Sequence, residues 1–394
     1  MMTAIDQAYL IQTAADLVRI DSTNPALAAD GAGESEIGAY TARALDTLGM
    51  AVTSYEVAPG RVNVVGVLKG SGNGRSLLLN AHMDTVGVEG MRIDPFGGAI
   101  RDGKLYGRGA QDMKGSLAAM LAAAKGLIDA GVQLQGDLYV TAVADEEHAS
   151  IGSDHLVTQV SADAAIVTEP TDLAICRAHR GFIWYDVETF GRAAHGSRFQ
   201  EGIDANMRMG RFLAALDKLE ADLRNRPPHP LVGPPSLHAA TLQGGSAISV
   251  YAAHCLLRVE RRTNPGEHEA QATAELQAII DALVAADPTF KGTVKAAFRR
   301  PPFEVGPEAT IVKELGKAVT KQLAGDNPAF VPEHAGQTFW TDAAIFSGAG
   351  METVLIGPKG YGLHSAEEWV DLDSVVDLAA ILAETAMGYC GRSS

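Results

Sequence analysis

The hydrophobic and polar positions of this chain mark out its elements before any chemistry is considered. Residues 4–19 read as a helix, and SEIGAYTARALDTLGM as a second one over 35–49, closed by Gly49. Strand-like runs follow in VTSYEV, NVVGVL, SLLLNAH, DLYVTAVA and AAIVTEP, with an Ala-rich helix over 113–130 among them. Leu77, Leu78 and Leu79 are apolar without alternation, as in a strand covered on both faces. Strands alternating with helices predict an α/β fold with a mainly parallel sheet.

The rhythm changes near residue 181. GFIWYDVETFG reads as a strand, and we expect it at a sheet edge. A helix, a Pro-rich connector (RNRPPHPLVGPP), two strands, a helix and the strand KGTVKAAFRR follow. That order, β-α-β-β-α-β, is the ferredoxin-like split βαβ. The α/β style then returns with helices at 308–323, around 341–348 and at 374–389, and the strand METVLIG. The expected organisation is a catalytic domain over 1–180 and 299–394, interrupted by an inserted lid or dimerisation domain over 181–298.

Composition narrows the class. The formal net charge of −16 over 394 residues argues against nucleic acid, which needs a basic face. No apolar run is long enough to span a bilayer, and the start of the chain does not read as a signal peptide. Three cysteines without a CxxC pair make a disulfide framework or thiolate metal site a poor expectation, and a reducing cytoplasm the simplest location. GxGxxG, GK[ST] and GxSxG are all absent, against nucleotide-binding and serine-hydrolase readings.

The chemistry collects at strand ends. SLLLNAH runs into His82 and Asp84, which on an extended segment would share a side. DLYVTAVA ends in Asp145-Glu146-Glu147, AAIVT in Glu169, and METVLIGP leads to His364; Asp112 precedes the Ala-rich helix. Each has a plain alternative: Asp112 as a helix cap, Glu146-Glu147 as a solvated loop, His364 with Glu367 and Glu368 as an exposed helix start. Together they would fill the crevice at the carboxyl edge of a parallel sheet. Several acids gathered there repel unless a cation neutralises them, and histidines with carboxylates suit a divalent transition metal.

HMDT, GRGAQDMKG, DEE, TEP and HSAEEWV, in this order, resemble the co-catalytic zinc aminoacylase/carboxypeptidase family, and the resemblance covers nearly the whole chain. It implies two divalent ions per subunit, zinc first, with cobalt or manganese as alternatives. Asp112 would bridge them, His82 and Glu169 completing one site and Glu147 and His364 the other. Glu146 would be the general base, and Asp84 would hydrogen-bond the far nitrogen of His82. The GRAAHGS stretch implies that His195 serves the active site of a partner subunit in a homodimer. RRTNPGE implies that Arg262 clamps a substrate carboxylate. Ser249 and Thr341 are expected to contact substrate. Ser249 and Asp204 replace asparagines common in relatives, and Phe339 and Trp340 are bulky departures. The implied reaction is hydrolysis of the amide bond of an N-acyl amino acid or small peptide. Carboxypeptidase and dipeptidase activity, and an inactive binding protein of the same fold, are the alternatives.

Overall fold

Leu77, Leu78 and Leu79 are completely buried at the centre of a sheet in the computed structural model, which describes residues 4–392. In sheet order the strands are Ala51–Ala58, Arg61–Leu68, Leu138–Val143, Leu77–His82, Ala164–Val167, Glu352–Leu355 and Ile175–His179. The four from Leu138–Val143 to Glu352–Leu355 run parallel, and the flanking pairs are antiparallel. The sheet is therefore mixed around a parallel centre, more antiparallel than the sequence suggests. The physical reason is local: Ala51–Ala58 and Arg61–Leu68 are joined by a tight turn with Gly60 at φ 74°, and a hairpin pairs only antiparallel.

The parallel centre needs helical crossovers. Gly115–Asp129 supplies one, and its alanines let it pack closely against Gln7–Arg19 and Leu372–Cys390 with nearly every side chain buried. Leu10, Leu17, Leu117, Leu121, Leu378 and Leu382 join the sheet in one apolar core. Because the central strands are parallel, His82 and the residues just past Val143 and Val167 all leave the sheet at the same edge.

The chain divides into two compact units. The first holds the chain through Arg177, Val305–Ala335 and the chain from Thr341; the second holds Ala178–Glu304 and Gly336–Trp340. The second unit is β-α-β-β-α-β, from Gly181–Phe190 to Gly292–Arg300, with a wholly antiparallel sheet. Its order is Ser236–Gly244, His254–Thr263, Gly181–Phe190, Gly292–Arg300. Gly181–Phe190 is thus flanked on both sides, which corrects the expectation of an edge strand. In a split βαβ the first strand is enclosed by the third and fourth, so its own sequence cannot show it is central. Ile183, Tyr185 and Val187 point to a separate core with Phe212, Leu216, Leu276 and Ile280. Asp204 caps the helix Ala205–Asn225, accepting from the backbone N–H groups of Asn206 and Met207. Gly336–Trp340 joins this unit because the Trp340 indole donates to the Pro301 carbonyl (3.0 Å) and packs edge-on to Phe182. Among the described residues no helix is long and apolar enough to cross a membrane.

Candidate metal centre

His82 ends its strand almost fully buried, and Asp112, Glu147, Glu169 and His364 converge on it from four other segments. Two groups form, His82–Asp112–Glu169 and Asp112–Glu147–His364, the ligand atoms of each lying within 4.8 Å of one another. His82 Nε2 lies 3.0 Å from Asp112 Oδ1 and 3.7 Å from Glu169 Oε1. His364 Nε2 lies 3.3 Å from Asp112 Oδ2 and 3.0 Å from Glu147 Oε2. Each oxygen of Asp112 therefore faces a different histidine.

The backbone is shaped to allow this. Asp145 at φ 70° and His364 at φ 57° turn through the left-handed region, which Asp and His enter more readily than most residues. Gly357 lets the chain pass Glu169 closely: a Cβ there would lie 2.1 Å from the Glu169 carbonyl oxygen. Asp112 is no helix cap; it sits in the turn Ala110–Lys114 ahead of the Ala-rich helix. Glu368, far from an exposed helix start, is fully buried. Its carboxylate accepts from the backbone N–H groups of Gly109, Gln111 and Asp112 and from Arg108 Nη1, fixing the turn that carries Asp112.

Asp84 departs from expectation. His82 Nδ1 is 2.9 Å from the backbone oxygen of Asp84, whereas the nearer carboxylate oxygen is 3.7 Å away. The strand stops at His82, so alternation no longer governs Asp84. Its carboxylate instead accepts from the backbone N–H groups of Glu146 (3.1 Å) and Glu147 (3.2 Å). The carbonyl still fixes the His82 tautomer, leaving Nε2 for the Asp112 side.

Electrostatics show what the cluster lacks. Burial, then the charges of Glu169 and Asp342, push the Glu146 carboxyl well above its usual range. Burial and Asp112 do the same to Glu169 and, less strongly, to Glu147. Burial opposes the charged form of His82, but its hydrogen bond to Asp112 and the charges of Glu169, Asp112 and Asp84 outweigh it and raise its pKa. Hydrogen bonds to Asp112 and Glu147 push His364 up to about 10. Burial would raise Asp112, yet its hydrogen bonds with His364 and His82 hold it below the usual carboxylate range. Among the described residues Glu147 Oε1 is buried without a hydrogen-bond partner, a ligand atom with its lone pairs unspent. Imidazole nitrogens and carboxylate oxygens in two groups sharing one carboxylate fit a pair of divalent ions.

The remaining expected residues divide differently. Thr341 is fully buried, and its hydroxyl accepts from the Ala343 N–H at the start of the helix Ala343–Gly348. His195, Ser249 and Arg262 belong to the second unit. There the Ser249 carbonyl accepts from Gly196 N–H (2.7 Å), joining it to the loop that carries His195. His195 Nδ1 lies 2.9 Å from Ser197 Oγ and 3.2 Å from Ser197 N, so this nitrogen is engaged within its own loop and Nε2 faces away from it. Arg262 donates Nε to Glu260 Oε1 (2.6 Å) and lies over the Phe182 ring. Glu34, Arg61, Asn24 and Asp145 form a buried polar network behind Glu146 and Glu147 that motif reading missed, since its members are scattered along the chain. Asp342, which accepts from the Ser153 hydroxyl (2.6 Å), is a further buried acid whose charge acts on Glu146, and it follows directly on Thr341 in the chain.

Comparison with known proteins identifies a family and a shared fold. Residues 78–388 match the model of peptidase family M20/M25/M40. Acetylornithine deacetylase from Myxococcus xanthus is 32% identical over 337 residues, covering 84% of this chain and 85% of that protein. N-formyl-4-amino-5-aminomethyl-2-methylpyrimidine deformylase from Bacillus subtilis (strain 168) is 29% identical, covering 97% of this chain and 95% of its own. Aminopeptidase PepT from Bacillus cereus ATCC 10987 has a similar fold, with a TM-score of 0.79 at 18% identity, covering 98% of this chain and 99% of its own.

Proposed function

The chain belongs to peptidase family M20/M25/M40, and from that membership we propose that it is a two-metal deacylase cleaving a small acyl group from the nitrogen of an amine or amino acid. The observation that carries this reading is Asp112, whose two oxygens face two histidine–carboxylate groups. Two relatives that each cover most of the chain, a deacetylase and a deformylase, are named for removing small acyl groups, which favours deacylation over peptide cleavage. His82, Asp112 and Glu169 would hold one ion and Asp112, Glu147 and His364 the other. Zinc suits the mixed imidazole and carboxylate donors, with cobalt or manganese as substitutes.

Bound divalent ions supply a polarised carbonyl and a water acidic enough to react near neutral pH. Glu146 would accept a proton from the attacking water and pass it to the leaving amine. Its buried, acid-flanked setting raises its affinity for a proton, as a group that must hold one between steps requires. His195, its Nδ1 engaged with Ser197, donates from Nε2 to the oxyanion that develops on the acyl carbonyl. Arg262 binds a substrate carboxylate through the part of its guanidinium not given to Glu260. Ser249, on the loop bonded to that of His195, faces substrate beside it.

A homodimer belongs to the same proposal. The outer strand Ser236–Gly244 is an edge, and Leu242 on it is exposed, as a strand that pairs with a second copy would be. A cytoplasmic setting fits three buried cysteine thiols.

The test is a panel of N-formyl, N-acetyl, N-succinyl and longer N-acyl amines and amino acids, with dipeptides, on zinc- or cobalt-loaded enzyme. Turnover of acylated substrates with about two ions bound per chain supports the reading. Turnover of dipeptides alone would make it a peptidase, and full activity without a transition metal would end the two-metal reading. Glu146→Gln should retain the metal and lower kcat by about 10²–10⁴-fold. Mixing inactive His195→Ala and Glu146→Ala subunits, with exchange allowed, should restore up to about a quarter of parent activity if partners share sites.

A further inference from the structure

Behind the ligand-bearing turn lies a buried ion network that the chemistry just described does not use. Arg61, on the strand Arg61–Leu68, is buried against Glu34 and Asp145, which are themselves almost inaccessible. Its guanidinium binds Glu34 through Nε and, at 2.6 Å, through Nη2, and reaches Asp145 Oδ1 at 3.0 Å. Glu34 Oε1 also accepts from the Asp145 backbone N–H (3.2 Å). Asp145 closes the following loop, its carbonyl accepting from the N–H groups of Ala149 (3.2 Å) and Ser150 (2.5 Å). The Asn24 amide bridges the two sides, donating to Asp145 Oδ1 (3.0 Å) and Asp84 Oδ2 (2.8 Å). Asp84 in turn holds the backbone N–H groups of Glu146 and Glu147.

Glu34, Asp84 and Asp145 are three buried acids, and the Arg61 guanidinium is bonded to two of them. A buried acid stripped of its cation is costly and rearranges. We propose that Arg61 is a positioning residue: by tying Asp145 to Glu34 it fixes the turn from which Glu147 reaches the metal and Glu146 the reacting water. The consequence is selective. The Asp112–Glu147–His364 half depends on this turn directly, whereas His82 and Glu169 leave the sheet from other strands and His82 meets the network only through the Asp84 backbone carbonyl. Lysine cannot replace Arg61, since an ammonium lacks the planar fork that spans Glu34 and Asp145 together.

This inference rests on the two-metal reading, and the experiment separates the two. Metal-free parent and Arg61→Lys are titrated with Co²⁺, following visible absorption and bound metal, alone and in a His364→Ala background that retains only the His82 half. In Arg61→Lys one equivalent should weaken by about 10–100-fold, the usual effect of removing a support behind a ligand. In the His364→Ala background the same change should leave the remaining affinity unaltered. For hydrolysis, kcat should fall with KM nearly constant, because Glu146 acts in the transition state. Equal weakening of both halves would mean general destabilisation and overturn the proposal, as would parent-like affinity and kcat. A parent that takes up no second equivalent would instead overturn the two-metal reading. If Arg61→Lys does not fold, Glu34→Gln, which keeps one acceptor oxygen on Arg61 and loses the charge, is titrated and judged by the same outcomes.

Discussion

The two halves of the metal centre share Asp112 but are built in different ways. His82 and Glu169 follow directly on parallel strands of the sheet core, and both are buried. Glu147 and His364 sit on turns; His364 keeps 53% of its side chain exposed and lies in the left-handed region. One half inherits its rigidity from apolar packing, the other from hydrogen bonds of Asp84, Arg61 and Glu368 to backbone and neighbouring acids. A site made of both can be firm at one ion and adjustable at the other. Loop-borne ligands have lower local stability than strand-borne ones, so the second ion should be the more easily lost.

The largest effect should come from the residue the halves share. Asp112→Ala should empty both and lower kcat/KM by roughly 10³-fold or more, since a metal's charge stabilisation is worth several kcal/mol and about 1.4 kcal/mol is tenfold. Bound zinc and hydrolysis measured on the same preparation check it; retention of one tightly bound ion would mean the halves are independent.

Next, the halves should separate on removing one histidine each. His364→Ala should leave about one ion per chain, held by the buried half with its affinity changed less than about tenfold. His82→Ala should empty the buried half. Calorimetric titration that found the two variants alike would erase the contrast between strand-built and turn-built ligands.

The smallest effect is a pH slope. The His364 folded-state pKa, about 10, lies above the ordinary 6.5, so in the metal-free protein its pairing adds stability that is fully present below about pH 6.5 and is lost as pH rises through about 10. Metal at this half must displace that proton. Its apparent affinity should therefore rise with pH by about tenfold per unit for one proton displaced. Titration in buffers of different ionisation enthalpy measures the proton released, and a pH-independent affinity would show that His364 is not displaced.

Much of this was legible because strand ends carry their chemistry with them. His82, Glu146, Glu147 and Glu169 each follow an apolar run whose burial and parallel pairing the alternation of elements implies, so their meeting at one edge needed no coordinates. Glu368 was misjudged because two adjacent acids after His364 look solvated, and only the buried turn at Gly109–Asp112 explains it. Arg61, Glu34 and Asn24 gave no signal at all. Lone polar residues on strands and loops are ordinary, and nothing in their spacing shows that they meet.

By itself, then, the sequence determined the elements, the interrupted two-unit plan and the candidate metal-binding side chains that the fold brings together, because these depend on local periodicity and on residues one or two places from a strand end. Tertiary structure alone decided that Gly181–Phe190 is enclosed, that Asp84 turns from His82 to the backbone of Glu146 and Glu147, and that Arg61 stands behind them. Those outcomes depend on which distant strands become neighbours and which buried charges must find partners. That is a balance of packing and desolvation over the whole fold, which no local stretch of chain encodes.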